Sequence, residues 1–432
     1  MYMKGIIIMR TLKIGDSYLD VQYLSLGLIR AGFNPGGIKS LFDQSLHNAV
    51  VAFQNSQGIS ADGIAGEDTF SRLLPYLKGY ITTVISQGED LSSISDKYST
   101  SENAIRNANP MLQNFSPGAQ ITVPFGFDVV ADNVDYSYEL VTFFMEGLKA
   151  RYPFIELSSA GNSVMNKELW YLKIGTGEKR VFFNASHHAN EWITTPILMK
   201  FTEDYLKATS NNETINGQSA KDLYSTKTLY MIPLVNPDGV DLVTGALNTD
   251  DPEYITARNI ASSYPSILFP NGWKANISGT DLNLNYPASW EKAKEIKYSM
   301  GFVSPAPRDY VGSSPLSAIE SRALYNFTIK NNFSLTVSMH TQGEVIYWKY
   351  LDLLPPRSEE IVNELARVSG YIPEDTPYAS SFAGYKDWFI SYYNRPGYTV
   401  ESGRGQNPLP ITDFADIYPA NSRLLTKALE LA

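Results

Sequence analysis

The chain contains no cysteine. That excludes disulfides, thiolate metal ligands and a cysteine nucleophile, so any metal has to be held by histidine and carboxylate. It leaves the redox compartment open. A basic excess is missing too: 35 Lys and Arg stand against 45 Asp and Glu, a net charge of −10. Neutralising nucleic-acid phosphates needs the opposite balance, so no nucleic-acid partner is expected. The same balance argues against a polybasic membrane surface. Apolar stretches are short, and none approaches the length of a membrane span. The run from Gly5 to Met9 is too short for the core of a signal peptide, and Arg10 interrupts it with no small-residue cleavage site after it. A short first strand or a ragged start is expected there.

What remains is ordinary globular composition, 43% apolar with an aromatic lean of 28 Tyr, in a chain long enough for more than one domain. From about Leu12 to Leu77, two helical patterns (Tyr18 to Arg30 and Gln44 to Gln57) are broken by glycine-rich turns. Asp62-Gly63 and Gly66 then punctuate the chain before Thr69 opens another short helix. From Tyr80 to about Phe127 the pattern reads β-α-α-β: YITTVIS, then SSISDKY, a second helix around Ser101 to Ala108 ending at Asn109-Pro110, and a closing strand in SPGAQITVP. Beyond Asp132, strands and helices alternate. Arg180 to Ser186, Thr228 to Asn236, Phe333 to His340 and Gly397 to Glu401 are β-branched or aromatic runs suited to buried strands. The helix TTPILMKFTEDYLKA places Ile197, Phe201 and Tyr205 at helical spacing, and another runs through SAIESRALYNFTIK. Alternation of this kind implies an α/β domain built on a mixed sheet.

Four residues over half the length carry the chemistry: His188 and Glu191 in SHHANEW, His340 in SMHTQGE, and Glu401 in YTVESG. Two intervening residues let one turn of chain aim His188 and Glu191 at a single point. Two imidazoles and a carboxylate suit catalytic zinc, because three protein ligands leave a position open for water. A further glutamate ending an apolar strand is the proton acceptor such a water needs. Together they point to metal-assisted hydrolysis of an amide. HxxE alone is weak, and its bland alternative is a polar cluster capping the following helix. Matching strand-end contexts at His340 and Glu401 favour the metal. His187 has no carboxylate three residues on, so it reads as a supporting or structural residue. His47 reads as a lone histidine on a helix surface.

At these residues the sequence resembles the M14 zinc carboxypeptidases over essentially all of Asp132 to Ala432. The resemblance implies a zinc-carboxypeptidase-like mixed sheet flanked by helices. It also implies one Zn2+ per chain on His188, Glu191 and His340, with Glu401 as general base. Asn236 to Gly239 (NPDG) is a family landmark whose physical role reads as a turn after a strand. Upstream, AVVAFQ followed by DGIAGEDT resembles a peptidoglycan-binding module, and the β-α-α-β unit resembles a LysM module. The expected division is therefore 1–78, a small all-α bundle; 79–130, a small βααβ LysM module; and 131–432, the catalytic domain.

The departures from the digestive members are informative. Their Trp-Arg pair, which polarises the scissile carbonyl, becomes Trp273-Lys274; Lys274 is either an oxyanion partner acting as a point charge or a solvated lysine. Their Asn-Arg clamp for a terminal carboxylate becomes Asn283-Leu284, and a buried carboxylate needs a paired cation. Lys386, at the position that sets side-chain specificity, and Arg404, after the catalytic glutamate, are candidate replacements; surface charge is the alternative for both. Tyr378 or Tyr385 supplies the family's mobile phenol. The strings GWKAN, DLNLNYP and ESGRGQNPLP resemble the γ-D-glutamyl-diamino-acid peptidases, which cut bacterial wall stem peptides between D-glutamate and diaminopimelate. Lys386 and Arg404 would then face the diaminopimelate carboxylate, and Asp281 its ammonium. The expected partners are peptidoglycan glycan and stem peptides. An ordinary metallocarboxypeptidase and a non-catalytic wall-binding protein are the rival expectations. A wall substrate without a visible signal peptide fits a sporulation or lysis setting, or recycling of wall fragments.

Overall fold

The computed structural model describes residues 9–432; the apolar run from Gly5 lies outside the described residues, Met9 excepted. The chain divides into two compact units, residues up to 135 with 142–154, and 136–141 with 155–432.

The first unit begins with helices Asp20–Arg30, Gln44–Gln57 and Glu67–Lys78. The second starts where the Asp43 carboxylate accepts from the Leu46 amide, and stops at left-handed Gly58. The third starts two residues before Thr69, at Glu67 and Asp68, acids that the positive end of a helix favours. Leu24, Leu28, Leu46, Val50, Phe53 and Phe70 fill the space between them. His47 is not a lone surface residue. Its ring lies against Gly63, where an added Cβ would sit 1.9 Å from it, so only glycine fits that turn.

Next come strand β1 (Tyr80–Val84), helices Leu91–Lys97 and Glu102–Ala108, and strand β2 (Gln120–Pro124). The two strands pair antiparallel, Tyr80 opposite Pro124. A reciprocal cap between Asp90 and Ser93 opens the first of these helices. Ile85, Ile94, Ile105, Ile121 and Val123 form a separate small core.

The second unit contributes β3 (Glu156–Asn162), β4 (Glu168–Gly175) and β5 (Lys179–Ala185). A two-residue pair follows, β6 (Thr214–Ile215) with β7 (Gln218–Ser219), and then β8 (Lys227–Ile232). The last four are β9 (Leu335–His340), β10 (Val345–Tyr347), β11 (Ile372–Glu374) and β12 (Gly397–Glu401). Eight of them form one mixed sheet in the order β11-β10-β12-β9-β5-β8-β4-β3. The four strands expected from apolar runs, β12, β9, β5 and β8, are its adjacent and mutually parallel centre. Helices such as Thr194–Asn211, Ile319–Asn331 and Phe414–Leu431 supply apolar faces to the same unit. The sheet's order brings the C-terminal ends of β5, β9 and β12 side by side, where open α/β sheets form their crevices.

Behind that edge sits a buried polar network. Glu320 accepts from Asn276 Nδ2 at 2.9 Å and from the Val164 amide at 3.2 Å. Asp238 is held by Ser163 and Lys167 close by. Burial, with Asp238 nearby, pushes the Glu320 carboxyl up from 4.5 to about 7. A carboxyl raised on folding favours the folded state at low pH, and that contribution is lost as pH climbs through 4.5 toward 7. The loss is on the order of 3 kcal/mol. Measured by denaturant unfolding, Glu320→Gln should therefore gain about that much on the wild type between pH 4.5 and pH 8. A pH-independent difference between the two chains would refute the assignment.

Candidate active site

Strand β5 ends in a sharp turn at Ser186, a non-glycine residue at φ 53. Its amide donates to Thr194 Oγ1 at 3.0 Å, and its hydroxyl lies 2.8–2.9 Å from those of Thr194 and Thr195. These bonds hold a backbone conformation that would otherwise cost about 1–2 kcal/mol. The turn delivers His188 and Glu191 to one spot, while β9 delivers His340 from its own last residue.

There the three side chains converge, with one donor atom from each within 4.8 Å of the others. His188 Nδ1 lies 2.9 Å from Glu191 Oε1, His340 Nδ1 lies 2.8 Å from Glu191 Oε2, and the two Nδ1 atoms are 3.1 Å apart. Tetrahedral zinc with bonds of about 2.1 Å keeps its ligand atoms about 3.4 Å apart, so this set needs little adjustment to hold the ion. His188 Nε2 is engaged on the far side by Asp281 Oδ1 at 3.1 Å, the carboxylate–imidazole arrangement that orients a metal ligand. The other oxygen of Asp281 accepts from the Asp309 amide, so this carboxylate ties the histidine to a second loop. The donor set fits zinc.

A proton can take the cation's place in part. Burial works against it, yet the Glu191 and Asp281 carboxylates lift the His188 imidazole to about 9. Glu191 itself is opposed by burial, but His188 and the Lys274 ammonium hold its carboxyl well below the usual range. Lys274 is no solvated lysine: its Nζ lies 3.0 Å from Glu191 Oε1. His187 faces elsewhere. It is fully buried, 3.2 Å from the Tyr286 hydroxyl and stacked near His340, and burial drives its imidazole well down. Asn236 is more than a turn residue, because besides capping its helix it donates to the carbonyls of His187 and Ala275.

Glu401 ends β12 directly opposite His340 in the parallel register. It lines the same cleft as His188 and Lys274. Burial and the Glu191 charge push its carboxyl up to about 8, against the pull of Lys274 and His188.

The cleft takes in Asn283, Leu284 and Lys386 as well. Asn283 Oδ1 accepts from the Tyr385 amide at 3.0 Å, which fixes its orientation. Lys386 is buried, but its Nζ is bound to Asp387 Oδ1 at 2.6 Å and to the Lys349 carbonyl, so its charge is already matched. Arg404 is not brought to the site. It is 78% exposed and grips Glu344 through Nε and Nη2, outside the residues that line the cleft. Of the two tyrosines, Tyr385 is sealed in the core on Thr328, whereas Tyr378 is exposed. Sequence reasoning passed over Arg308 and Lys297, which also line the cleft. Arg308 sits in the string PAPRDY, which has no periodic or motif character, and Lys297 is one of three lysines on the helix Trp290–Ser299, with nothing in sequence to single it out.

Residues 141–422 match the family model described as zinc carboxypeptidase, and residues 17–73 match that of a putative peptidoglycan binding domain. The chain is 45% identical over 284 residues to "Gamma-D-glutamyl-L-diamino acid endopeptidase 1" of Lysinibacillus sphaericus, a span covering 66% of this chain and 69% of that protein. It is 41% identical over 281 residues to the "Uncharacterized protein YqgT" of Bacillus subtilis (strain 168), covering 64% and 73%. Among solved structures, thrombin activatable fibrinolysis inhibitor aligns with a TM-score of 0.54 at 20% identity, over 69% of this chain and 77% of that one. That likeness is one of fold. The family match takes in all eight strands of the mixed sheet and all three converging ligands, and the chain belongs to the zinc carboxypeptidase family.

Proposed function

We propose that the chain hydrolyses the γ-D-glutamyl–diaminopimelate bond of peptidoglycan stem peptides. One observation carries this: the cleft that joins His188 to Glu401 holds Leu284, buried, where the digestive carboxypeptidases carry a carboxylate-clamping arginine. A terminal carboxylate in that place would lack its cation. The 45% identical relative, named for γ-D-glutamyl-L-diamino acid cleavage, supports the same reading.

In this reading His188, Glu191 and His340 hold zinc, which when bound supplies Lewis-acid polarisation of a water and of the scissile carbonyl. Glu401 accepts the proton of the attacking water at its carboxylate and passes it to the leaving nitrogen. Its raised affinity for protons suits both halves of that transfer. Lys274 offers a buried ammonium to the developing oxyanion. Asn283 and exposed Tyr378 orient the substrate. Lys386, bound to Asp387, shapes the pocket rather than meeting a carboxylate as a free charge.

Three modules are proposed: 1–78 and 79–130 upstream, and 131–432, the catalytic domain. The match over residues 17–73 supports the first as a peptidoglycan-binding domain. For the second, a surface depression on the βααβ unit supports a glycan-binding LysM role. It is lined by Asp90 and Ser92, by Glu102 and Arg106 of the second helix, and by Gln113, Asn114 and Phe115. Polar groups beside one aromatic ring are what a sugar face requires.

Mass spectrometry of a muropeptide digest should show stem peptides cut after D-glutamate. Cleavage of a hippuryl-type peptide with the γ-linkage left intact would instead establish an ordinary carboxypeptidase. Glu401→Gln should lower kcat roughly 100- to 10,000-fold while zinc content, read by atomic absorption, stays at one per chain. Near-normal turnover would remove Glu401 as the base. Asp281→Asn should weaken zinc affinity about 10- to 100-fold in a chelator competition, since His188 loses its orienting carboxylate; unchanged affinity would contradict that role.

A further inference from the structure

Among the described residues, four lysine and arginine side chains line the cleft: Lys274, Lys297, Arg308 and Lys386. Three are committed. Lys274 Nζ sits on Glu191, Lys386 Nζ on Asp387, and Lys297 Nζ on Asp309 Oδ1 at 2.6 Å. Their side chains are 18%, 5% and 5% exposed, whereas that of Arg308 is 44% exposed. Arg308 uses only Nε within the protein, donating to Asp309 Oδ2 at 2.6 Å; among the described residues its two terminal nitrogens carry no protein partner. Asp309 is therefore shared between two cations, and Lys297, Asp309 and Arg308 together keep one net positive charge. Were Lys297 absent, Asp309 would cancel Arg308.

The segment bearing this group is fixed at several points. Pro307 O accepts from the amides of Lys274 and Ala275, Tyr310 O accepts from the Asp281 amide, and the Asp309 amide donates to Asp281 Oδ2. Asp309 itself is held at φ 64, a left-handed conformation that asparagine and aspartate tolerate better than other side chains. The Asp309 amide is bonded to Asp281, which in turn holds His188, and Pro307 is bonded to the Lys274 amide, so the segment carrying Arg308 stands on the metal-cluster side of the cleft. A guanidinium held by Nε and open at both terminal nitrogens presents a fork that matches a carboxylate.

We propose that Arg308 is the specificity residue that binds a carboxylate of the substrate beside the scissile bond, taking over from the cation missing at Leu284. The inference rests on the γ-D-glutamyl reading above, in which two carboxylates flank that bond: the free α-carboxylate that a γ-linkage leaves on D-glutamate, and the carboxylate on the diamino-acid carbon that bears the scissile nitrogen, free where the stem ends there.

The test uses the full-length zinc-loaded chain and three peptides: one unmodified, one with the glutamyl α-carboxylate amidated, and one with the diamino-acid carboxylate amidated. Arg308→Ala should lower kcat/KM about 10- to 100-fold on the unmodified peptide. It should cause no further loss on one of the amidated peptides, which identifies the carboxylate bound. Arg308→Lys should recover part of the loss through its charge, and zinc content and melting temperature should not move. An equal loss on all three peptides, or none on any, overturns the assignment of Arg308 alone. A wild-type chain that leaves the unmodified peptide uncut overturns the proposed function and this inference with it.

Discussion

The buried carboxylate of Glu191 is the point on which the catalytic face depends. Oε1 meets His188 Nδ1 and Lys274 Nζ; Oε2 meets His340 Nδ1 and the Thr341 amide. A carboxylate this deep costs several kcal/mol to desolvate unless it is surrounded by partners. Those partners come from the β5 turn, the Trp273-Lys274 loop and the end of β9, so satisfying one charge requires three distant segments to meet. Zinc chemistry needs the same meeting. The folding constraint and the catalytic one therefore coincide at a single side chain.

Parallel pairing is how the chain achieves this. In the register of β12 with β9, Glu401 lies opposite His340, and Ala185 of β5 pairs with Met339 of β9. A slip of one residue would turn each of these side chains to the other face of the sheet. The wholly buried β9 and the near-wholly buried β12 leave little freedom for such a slip. Asn236 and Asp281 then hold the loops beyond the strands, one through carbonyls and the other through an imidazole and an amide.

This explains what was legible beforehand. Strands buried on both faces read as continuous apolar runs, so the sheet's centre, and the ligands at its ends, stood out in the sequence. The outer strands did not. β3 is ELSSAGN, exposed at Glu156 and half-buried after it, and β10 and β11 are three residues each, too short to show a period. Roles that depend on a partner far along the chain were equally hidden. Arg404 looked available until Glu344 was placed beside it, and Lys386 until the Lys349 carbonyl closed on it. His47 looked isolated because the glycine it packs on is sixteen positions away, in a turn.

Specificity in the cleft is best understood as an arithmetic of charge rather than a count of cations. Each of Lys274, Lys386 and Lys297 is matched to a carboxylate, so none of them brings the resting cleft an unpaired positive charge. Among the described lysines and arginines that line the cleft, the surplus lies at Asp309, one carboxylate shared by Lys297 and Arg308. A digestive carboxypeptidase concentrates its surplus at the arginine next to its asparagine; here that position is Leu284, packed among Tyr286 and Trp388 in the apolar core. Relocating the surplus to the metal-cluster side leaves the reaction unchanged and alters which anion can sit beside the bond. A γ-linked substrate, with a carboxylate displaced from the peptide's end, requires that relocation.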